Sequence, residues 1–319
     1  MRDESEEAKI QQLRELLPAT GAGIYLDTAT RGPMPAETAA AMRDADDWEL
    51  RVGRATEGRA QDVARRLEEA RAVLAALLVA DPAEITVTHG GGDALFRLAR
   101  AAAGRRFVLV QHVDSNSGAL ADPKRSAGDG DTLLVLEATL SAGAIPLDVS
   151  ALGVDAVAFS ADRWLLGPEA TGGLWLSPRL GMVDQPEIGR TALLGLARSV
   201  GWLEMYVGLE WAYQRGRLLA DRLHAALSKT HGVEVDTPAE STATVVCFRL
   251  PGWPLDEAIA ELRRRVFAII GPTDDGKSIR ASLAWFNTED ELDRFTGAVA
   301  EVARHTPDTL PRRPPLVIR

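Results

Sequence analysis

The sequence predicts an α/β fold, with a large domain built on a mostly parallel sheet and a small α+β C-terminal lobe. Short apolar segments alternate with amphipathic helical segments through the first two thirds of the 319-residue chain. That alternation is typical of parallel strands covered on both faces by helices. Beyond Gly232 the pattern changes to alternating polar and apolar positions, which predicts a smaller sheet. We expect an N-terminal segment over 1–35, a large domain over 36–230 and a small lobe over 231–319.

The predicted elements of the large domain alternate along the chain. Apolar positions at helical spacing predict a leading helix that ends at Pro18 and longer helices over 62–78 and 94–103. A further helical region over 191–228 closes the domain. The predicted strands are 85–88, two continuous apolar runs of the kind buried on both faces, 107–110 and 133–136, and two further segments, 155–159 and 173–176.

The predicted elements of the small lobe are two strands and two helices. Residues 244–250 alternate in polarity, which predicts a strand with one exposed face. A helix follows from Pro254, where proline suits the first turn. Residues 279–284 predict a second strand and 289–303 a terminal helix.

Composition restricts the function. With 46% hydrophobic and 26% charged residues the chain has the composition of a soluble globular protein. The net charge of −10 argues against a basic nucleic-acid-binding surface.

No apolar run reaches the roughly 18 residues of a membrane span, and the acidic N-terminus lacks the apolar core of a signal peptide, so we expect a cytoplasmic protein. Cys247 is the only cysteine, which excludes an intrachain disulfide and a cysteine-based zinc site; we expect no metal.

A glycine-rich turn joins the strand 85–88 to the following helix. Backbone amides at such a turn, together with the positive end of the helix, favour an anion such as phosphate. The alternative is a tight strand-to-helix connection without a ligand, because a glycine turn alone is a weak signal.

Four separated stretches resemble the class V aminotransferases, especially the members similar to isopenicillin N epimerase and cysteine desulfurase. They are YLDTATRGPMP at 25–35, ITVTHGGGDA at 85–94, the region 136–175 with FSADRWLLGP at 159–168, and IRASLAWFNTE at 279–289. They occur in the family's order. The resemblance implies the fold of fold-type I transferases, which depend on pyridoxal 5′-phosphate (PLP).

The resemblance also implies roles for individual residues. Gly91 and Gly92 would hold the PLP phosphate, and Ser160 would add a hydroxyl. Asp93 occupies an acidic or polar family position, although at the start of a helix it can also simply interact with the helix dipole. Arg280 matches the arginine that binds the substrate carboxylate, for which a planar guanidinium is suited; the alternative is a structural arginine on a strand.

The chain departs from the family where the chemistry requires a lysine. The amine that forms the internal aldimine is replaced by Arg163, whose guanidinium stays protonated and offers no nucleophilic amine. None of the four lysines lies in a matching segment. Four further positions of the PLP pocket also differ from the family: Asp162 replaces a histidine, Glu137 an aspartate, Leu140 a glutamine and Ser115 an asparagine, although Asn116 could serve after a register shift.

The chain is also shortened near 104–107, where relatives carry a block of tens of residues. We therefore expect a non-catalytic family member that binds PLP weakly and non-covalently or not at all, as a homodimer or in a heterodimer with an intact class V paralogue. One alternative is a PLP-binding or repurposed enzyme acting on an amino-acid-like substrate, the repurposed form using Asp162, Arg163, Glu137 and His112. These residues could equally form an arginine–carboxylate ion pair that fills the vacated phosphate site. The other is a binding module in which Arg280 and the glycine turn hold a small anionic ligand.

Overall fold

The structure is a computed structural model that describes residues 4–102, 104–126, 131–181 and 183–311. The helices are α1 Glu4–Glu15, α2 Ala36–Val52, α3 Arg59–Leu78, α4 Gly91–Ala101, α5 Val149–Leu152, α6 Arg190–Trp202, α7 Leu209–Ser228, α8 Leu255–Val266 and α9 Glu289–Ala303. The strands are β1 Ile24–Tyr25, β2 Ile85–Thr88, β3 Phe107–Gln111, β4 Leu133–Glu137, β5 Ala156–Ser160, β6 Gly172–Leu176, β7 Glu234–Val235, β8 Val245–Arg249, β9 Ala268–Ile269, β10 Gly271–Pro272 and β11 Ile279–Ser282. None of these helices is both long enough and apolar enough to span a bilayer.

The chain divides into two compact units. The large unit comprises 34–112 and 121–210, and the lobe unit comprises 1–33, 113–120 and 211–319. The division differs from the expected boundary at residue 230, because α7 belongs to the lobe unit. The reason is that α7 contributes its apolar face to the hydrophobic core of that unit, through Leu219, Leu223 and Leu227.

The large unit contains a five-stranded sheet in the order β2-β6-β5-β4-β3. β3, β4 and β5 are parallel, and β6 runs antiparallel to both β5 and β2. Four strands therefore share one direction, which confirms the predicted mostly parallel sheet. Ala94 and Leu98 of α4 pack against Ala158 and Leu174 in the core.

β3 is the edge strand of this sheet. The side chains of Phe107 and Leu109 are 44% and 45% exposed, so the prediction that 107–110 is buried on both faces was wrong. The cause is its position beside a single partner, β4. An apolar sequence alone does not distinguish an edge strand from a central one.

The lobe unit contains an antiparallel sheet in the order β10-β11-β8-β7. β8 lies inside this sheet, and the side chains of Val245, Val246, Cys247 and Phe248 are all fully buried. The prediction of an exposed face for this strand was therefore wrong. Val246 and Phe248 enter the core beside the helices, while the segment 113–120 approaches the backbone of Val245 closely.

Candidate functional site

The glycine turn of the large unit lies between β2 and α4. β2 and β5 run in the same direction on either side of β6, which brings the turn beside Ser160, the last residue of β5. The amide of Gly91 donates a hydrogen bond of 2.9 Å to Ser160 Oγ. A Cβ on Gly91 would lie 2.9 Å from Thr139 Oγ1, whereas a Cβ on Gly92 would meet no atom within 4 Å. Glycine is thus sterically required at the first position, and open space lies in front of the second.

The start of α4 provides donors for an anion. The first four amides of a helix have no acceptor within the helix. Gly91 donates to Ser160 Oγ and Ala94 donates to the carbonyl of Gly90. Within the described ranges, the amides of Gly92 and Asp93 have no such acceptor. These two N–H groups and the positive helix end are donors of the kind that bind small anions.

The carboxylate of Asp93 interacts with its own helix. It accepts from the amide of His89 at 3.0 Å and from Arg97 Nε at 3.0 Å. Burial acts to raise the pKa of Asp93, but these donors outweigh burial and the pKa lies below its usual range. Asp93 is therefore an ionised residue whose contacts hold the turn to the first part of α4.

The end of β4 places a second carboxylate in the same unit. Glu137 Oε1 accepts from the amide of Thr139 at 2.9 Å, and Thr139 Oγ1 in turn accepts from the amide of Ser160 at 3.3 Å. Leu140 follows and is buried. The predicted residues Glu137 and Ser160 are thus joined through Thr139, which the sequence analysis did not select. Its position just beyond the carboxyl end of a parallel strand was the available signal, because ligands bind at that edge of such sheets.

His112 lies directly after β3 and is buried. Its Nδ1 atom is 3.0 Å from Ser141 Oγ, and that hydroxyl donates to the carbonyl of Ala138. Nδ1 must therefore carry the proton that it shares with Ser141. Burial lowers the pKa of His112 to about 4, so the ring is neutral at pH 7. Its observed partner is Ser141, outside the hypothesised cluster of His112 with Glu137, Asp162 and Arg163.

Arg163 forms an ion pair with the residue before it. Its Nε atom lies 3.4 Å from Asp162 Oδ1, and both side chains are largely buried, with 20% and 9% of their surfaces exposed. The following residues Trp164 and Leu165 are buried in the core. The two predicted residues are thus brought together as a guanidinium–carboxylate pair two residues beyond Ser160.

The four lysines of the chain are divided between the two units. Lys9 stacks 3.8 Å from the ring centroid of Trp211, and Lys277 pairs with Asp275 at 3.0 Å; both are in the lobe unit. Lys124 is exposed in the large unit with its side chain near Gly153, and Lys229 is exposed after α7. The residues of the large unit therefore fit the phosphate end of PLP through the glycine turn. Arg163 stands at the position that the resemblance assigns to the amine, and a guanidinium cannot hold PLP covalently.

The lobe unit holds the other two predicted site residues. Arg280 is 6% exposed. Its guanidinium donates to the carbonyl oxygen of Ser115 at 3.3 Å, to Asp274 Oδ1 at 3.0 Å and to Thr30 Oγ1 at 3.1 Å. Ser115 is therefore a neighbour of Arg280 through its backbone. Thr30 and Asp274 are contacts that the sequence analysis missed. No sequence signal identified Asp274, because its contact with Arg280 depends on the pairing of β10 with β11.

Comparison with known proteins gives a family from the sequence and a fold from the structure. The family model described as "Aminotransferase class-V" matches residues 24–107 and 101–189. The two matches meet at the place where the sequence predicts a missing block. A probable cysteine desulfurase of Methanothermobacter thermautotrophicus is 22% identical, over 92% of this chain and 98% of that protein. Its alignment of 394 positions is longer than this chain, which supports the predicted shortening.

Further relatives are similar over large parts of the chain. The isopenicillin N epimerase of Streptomyces clavuligerus is 27% identical over 70% of this chain and 64% of its own length. The apo structure of a cysteine desulfurase from Thermococcus onnurineus NA1 superposes with a TM-score of 0.80 at 19% identity, covering 92% of this chain and 98% of that chain. A C-DES variant with glycine covalently linked to its PLP cofactor gives a TM-score of 0.78 at 18% identity, over 90% and 98% of the two chains. Because the family model spans more than half of its residues, this chain belongs to the class V aminotransferase family, with the fold of the PLP-dependent fold-type I enzymes.

Proposed function

We propose that this protein is a non-catalytic class V homologue that performs no PLP-dependent reaction. The observation that carries this proposal is the Asp162–Arg163 ion pair at the position where the resemblance requires a lysine. A guanidinium with a pKa above about 12 forms no imine with an aldehyde. Within the large unit the only lysine is Lys124, whose side chain lies near Gly153, and this supports the same conclusion.

An activity assay tests this proposal. The purified protein, supplied with PLP, is assayed for transamination with a panel of amino acids and for sulfide release from cysteine. We expect rates equal to those of free PLP, with an active cysteine desulfurase as the positive control. Turnover that depends on the protein and exceeds free PLP would contradict the proposal.

We further propose that the protein acts in the cytoplasm as a homodimer or as the partner of an intact class V paralogue. The family resemblance supports this, because members of the family complete their sites at a dimer interface. Co-expression with a tagged intact paralogue, followed by affinity purification and light scattering, would distinguish the two forms. A strictly monomeric protein under both conditions would refute this part of the proposal.

A second candidate function, binding of a small anion, is favoured by the glycine turn. The amides of Gly92 and Asp93 face no acceptor among the described residues, and the space in front of Gly92 is open. Phosphate or PLP at 100 times its dissociation constant would stabilise the protein by about 2.7 kcal/mol. We expect Ser160→Ala to reduce this thermal shift, whereas Ser150→Ala, an exposed serine bonded to Asp148, should leave it unchanged. Equal shifts in both variants would contradict binding at the turn.

A further inference from the structure

Arg280 is a buried cation that lacks a full set of acceptors. Its side chain is 7% exposed, and its Nε atom has no hydrogen-bond partner among the described residues. The remaining guanidinium nitrogens contact a backbone carbonyl, a hydroxyl and one carboxylate. An arginine presents donors in a planar fork that suits a carboxylate with two oxygens. Here Asp274 Oδ1 engages Nη1 alone.

Asp274 reaches this arginine from the loop between β10 and β11. Its side chain is 63% exposed, so the side of the ion pair formed by Asp274 is open to solvent. The neighbouring Asp275 has a different task, since its carboxylate accepts from Thr273 Oγ1 at 2.8 Å and pairs with Lys277 at 3.0 Å. The amide of Asp275 donates to Asn116 Oδ1 at 2.9 Å. The loop is thereby fixed, and Asp274 is its carboxylate directed at the guanidinium.

We propose that Asp274 is a resident carboxylate that competes with small monocarboxylate ligands for the guanidinium of Arg280, and so sets the affinity threshold of this site. An external carboxylate that binds Arg280 must first displace Asp274. Because Asp274 is exposed, its release into solvent costs little desolvation, and exchange with a ligand is feasible. The proposal concerns the lobe unit alone and does not depend on the loss of PLP chemistry proposed above.

The test measures acetate binding, without PLP, at constant ionic strength. Isothermal titration calorimetry is run on the full chain, on Asp274→Asn and on the matched control Asp293→Asn, which removes the same charge from an equally exposed ion pair with Arg222 in the lobe unit. We expect acetate to bind on the order of tenfold more tightly to Asp274→Asn and with wild-type affinity to Asp293→Asn. Asp274→Ser removes the same carboxylate at this exposed turn and should reproduce the gain.

Three results would overturn the proposal. The first is an unchanged acetate affinity in Asp274→Asn and Asp274→Ser, which would make the ion pair purely structural. The second is an equal gain in Asp293→Asn, which would indicate a general effect of net charge. The third concerns the double variant Arg280→Lys/Asp274→Asn, which keeps a cation but removes the planar guanidinium. The gain in acetate affinity should be lost in this variant. If the gain persists, acetate binds at a site other than Arg280.

Discussion

The guanidinium of Arg163 lies 3.4 Å from the carboxylate of Asp162, at the position that resemblance assigns to a Schiff-base lysine. Neither side chain is fully exposed to water, so each stabilises the charge of the other. Removing one partner takes away a charge interaction that is largely shielded from solvent, which costs more than breaking a surface pair. We therefore expect the two substitutions relative to the family to act together.

A double-mutant cycle measures this coupling. We expect Asp162→Asn to lower the free energy of unfolding by about 1–3 kcal/mol, and the cycle with Arg163→Gln to show a coupling free energy of about 1 kcal/mol. Urea denaturation gives both values. The exposed pair Arg217–Asp221, at 3.2 Å, serves as the control and should couple by no more than about 0.5 kcal/mol. A coupling at Asp162–Arg163 no larger than this control would show that the two side chains do not act as a pair.

Gly91 and Gly92 provide a matched pair of substitutions at the glycine turn. Gly91→Ala places a Cβ 2.9 Å from Thr139 Oγ1 and 3.4 Å from Ser160 Oγ, so we expect a loss of about 1–2 kcal/mol of stability. Gly92→Ala meets no atom within 4 Å and should be neutral or stabilise by up to about 1 kcal/mol, since alanine favours the helix. Thermal unfolding of both variants measures whether Gly91→Ala is the less stable of the two. A less stable Gly92→Ala would mean that the turn is packed differently.

His112 predicts a dependence of stability on acid. Burial lowers its pKa in the folded protein to about 4, from 6.5, so the unfolded chain binds a proton first as the pH falls. The contribution of His112 to the free energy of unfolding does not change above about pH 6.5. Between about pH 6.5 and 4 it lowers the free energy of unfolding by up to about 3 kcal/mol.

Urea denaturation at several pH values measures this slope. His112→Asn, which retains a donor for Ser141, should remove most of this slope, whereas His231→Asn, at an exposed position, should not. An unchanged slope in His112→Asn would assign the acid sensitivity to other groups.

Sequence patterns located the elements where local signals are strong. The terminal helix was predicted over 289–303 and is observed there, because Thr288 and Glu291 form a capping box at its start. The strand 85–88 was also placed correctly. Burial was predicted less well: β3 is an exposed edge strand and β8 is covered on both faces. Those properties depend on which elements are neighbours in the sheet, and periodicity along one strand does not contain that information.

The residues of the candidate site could also be predicted only where a local sequence signal identifies them. Residues that match family motifs, such as Gly91, Ser160 and Arg163, were identified from the sequence, and the first two are in direct contact. Thr139, which links Glu137 to Ser160, and Asp274, which pairs with Arg280, were not selected from the sequence. Thr139 had a weak signal in its position after a parallel strand, whereas only tertiary contacts identify Asp274.

Reduction with borohydride in the presence of PLP tests the central claim most directly. Borohydride converts any imine between PLP and a lysine into a stable secondary amine, which intact and peptide mass spectrometry detect and locate. We predict no stoichiometric adduct on this protein under conditions that label an active cysteine desulfurase completely. A stoichiometric phosphopyridoxyl adduct on one of the four lysines, Lys9, Lys124, Lys229 or Lys277, would contradict the account.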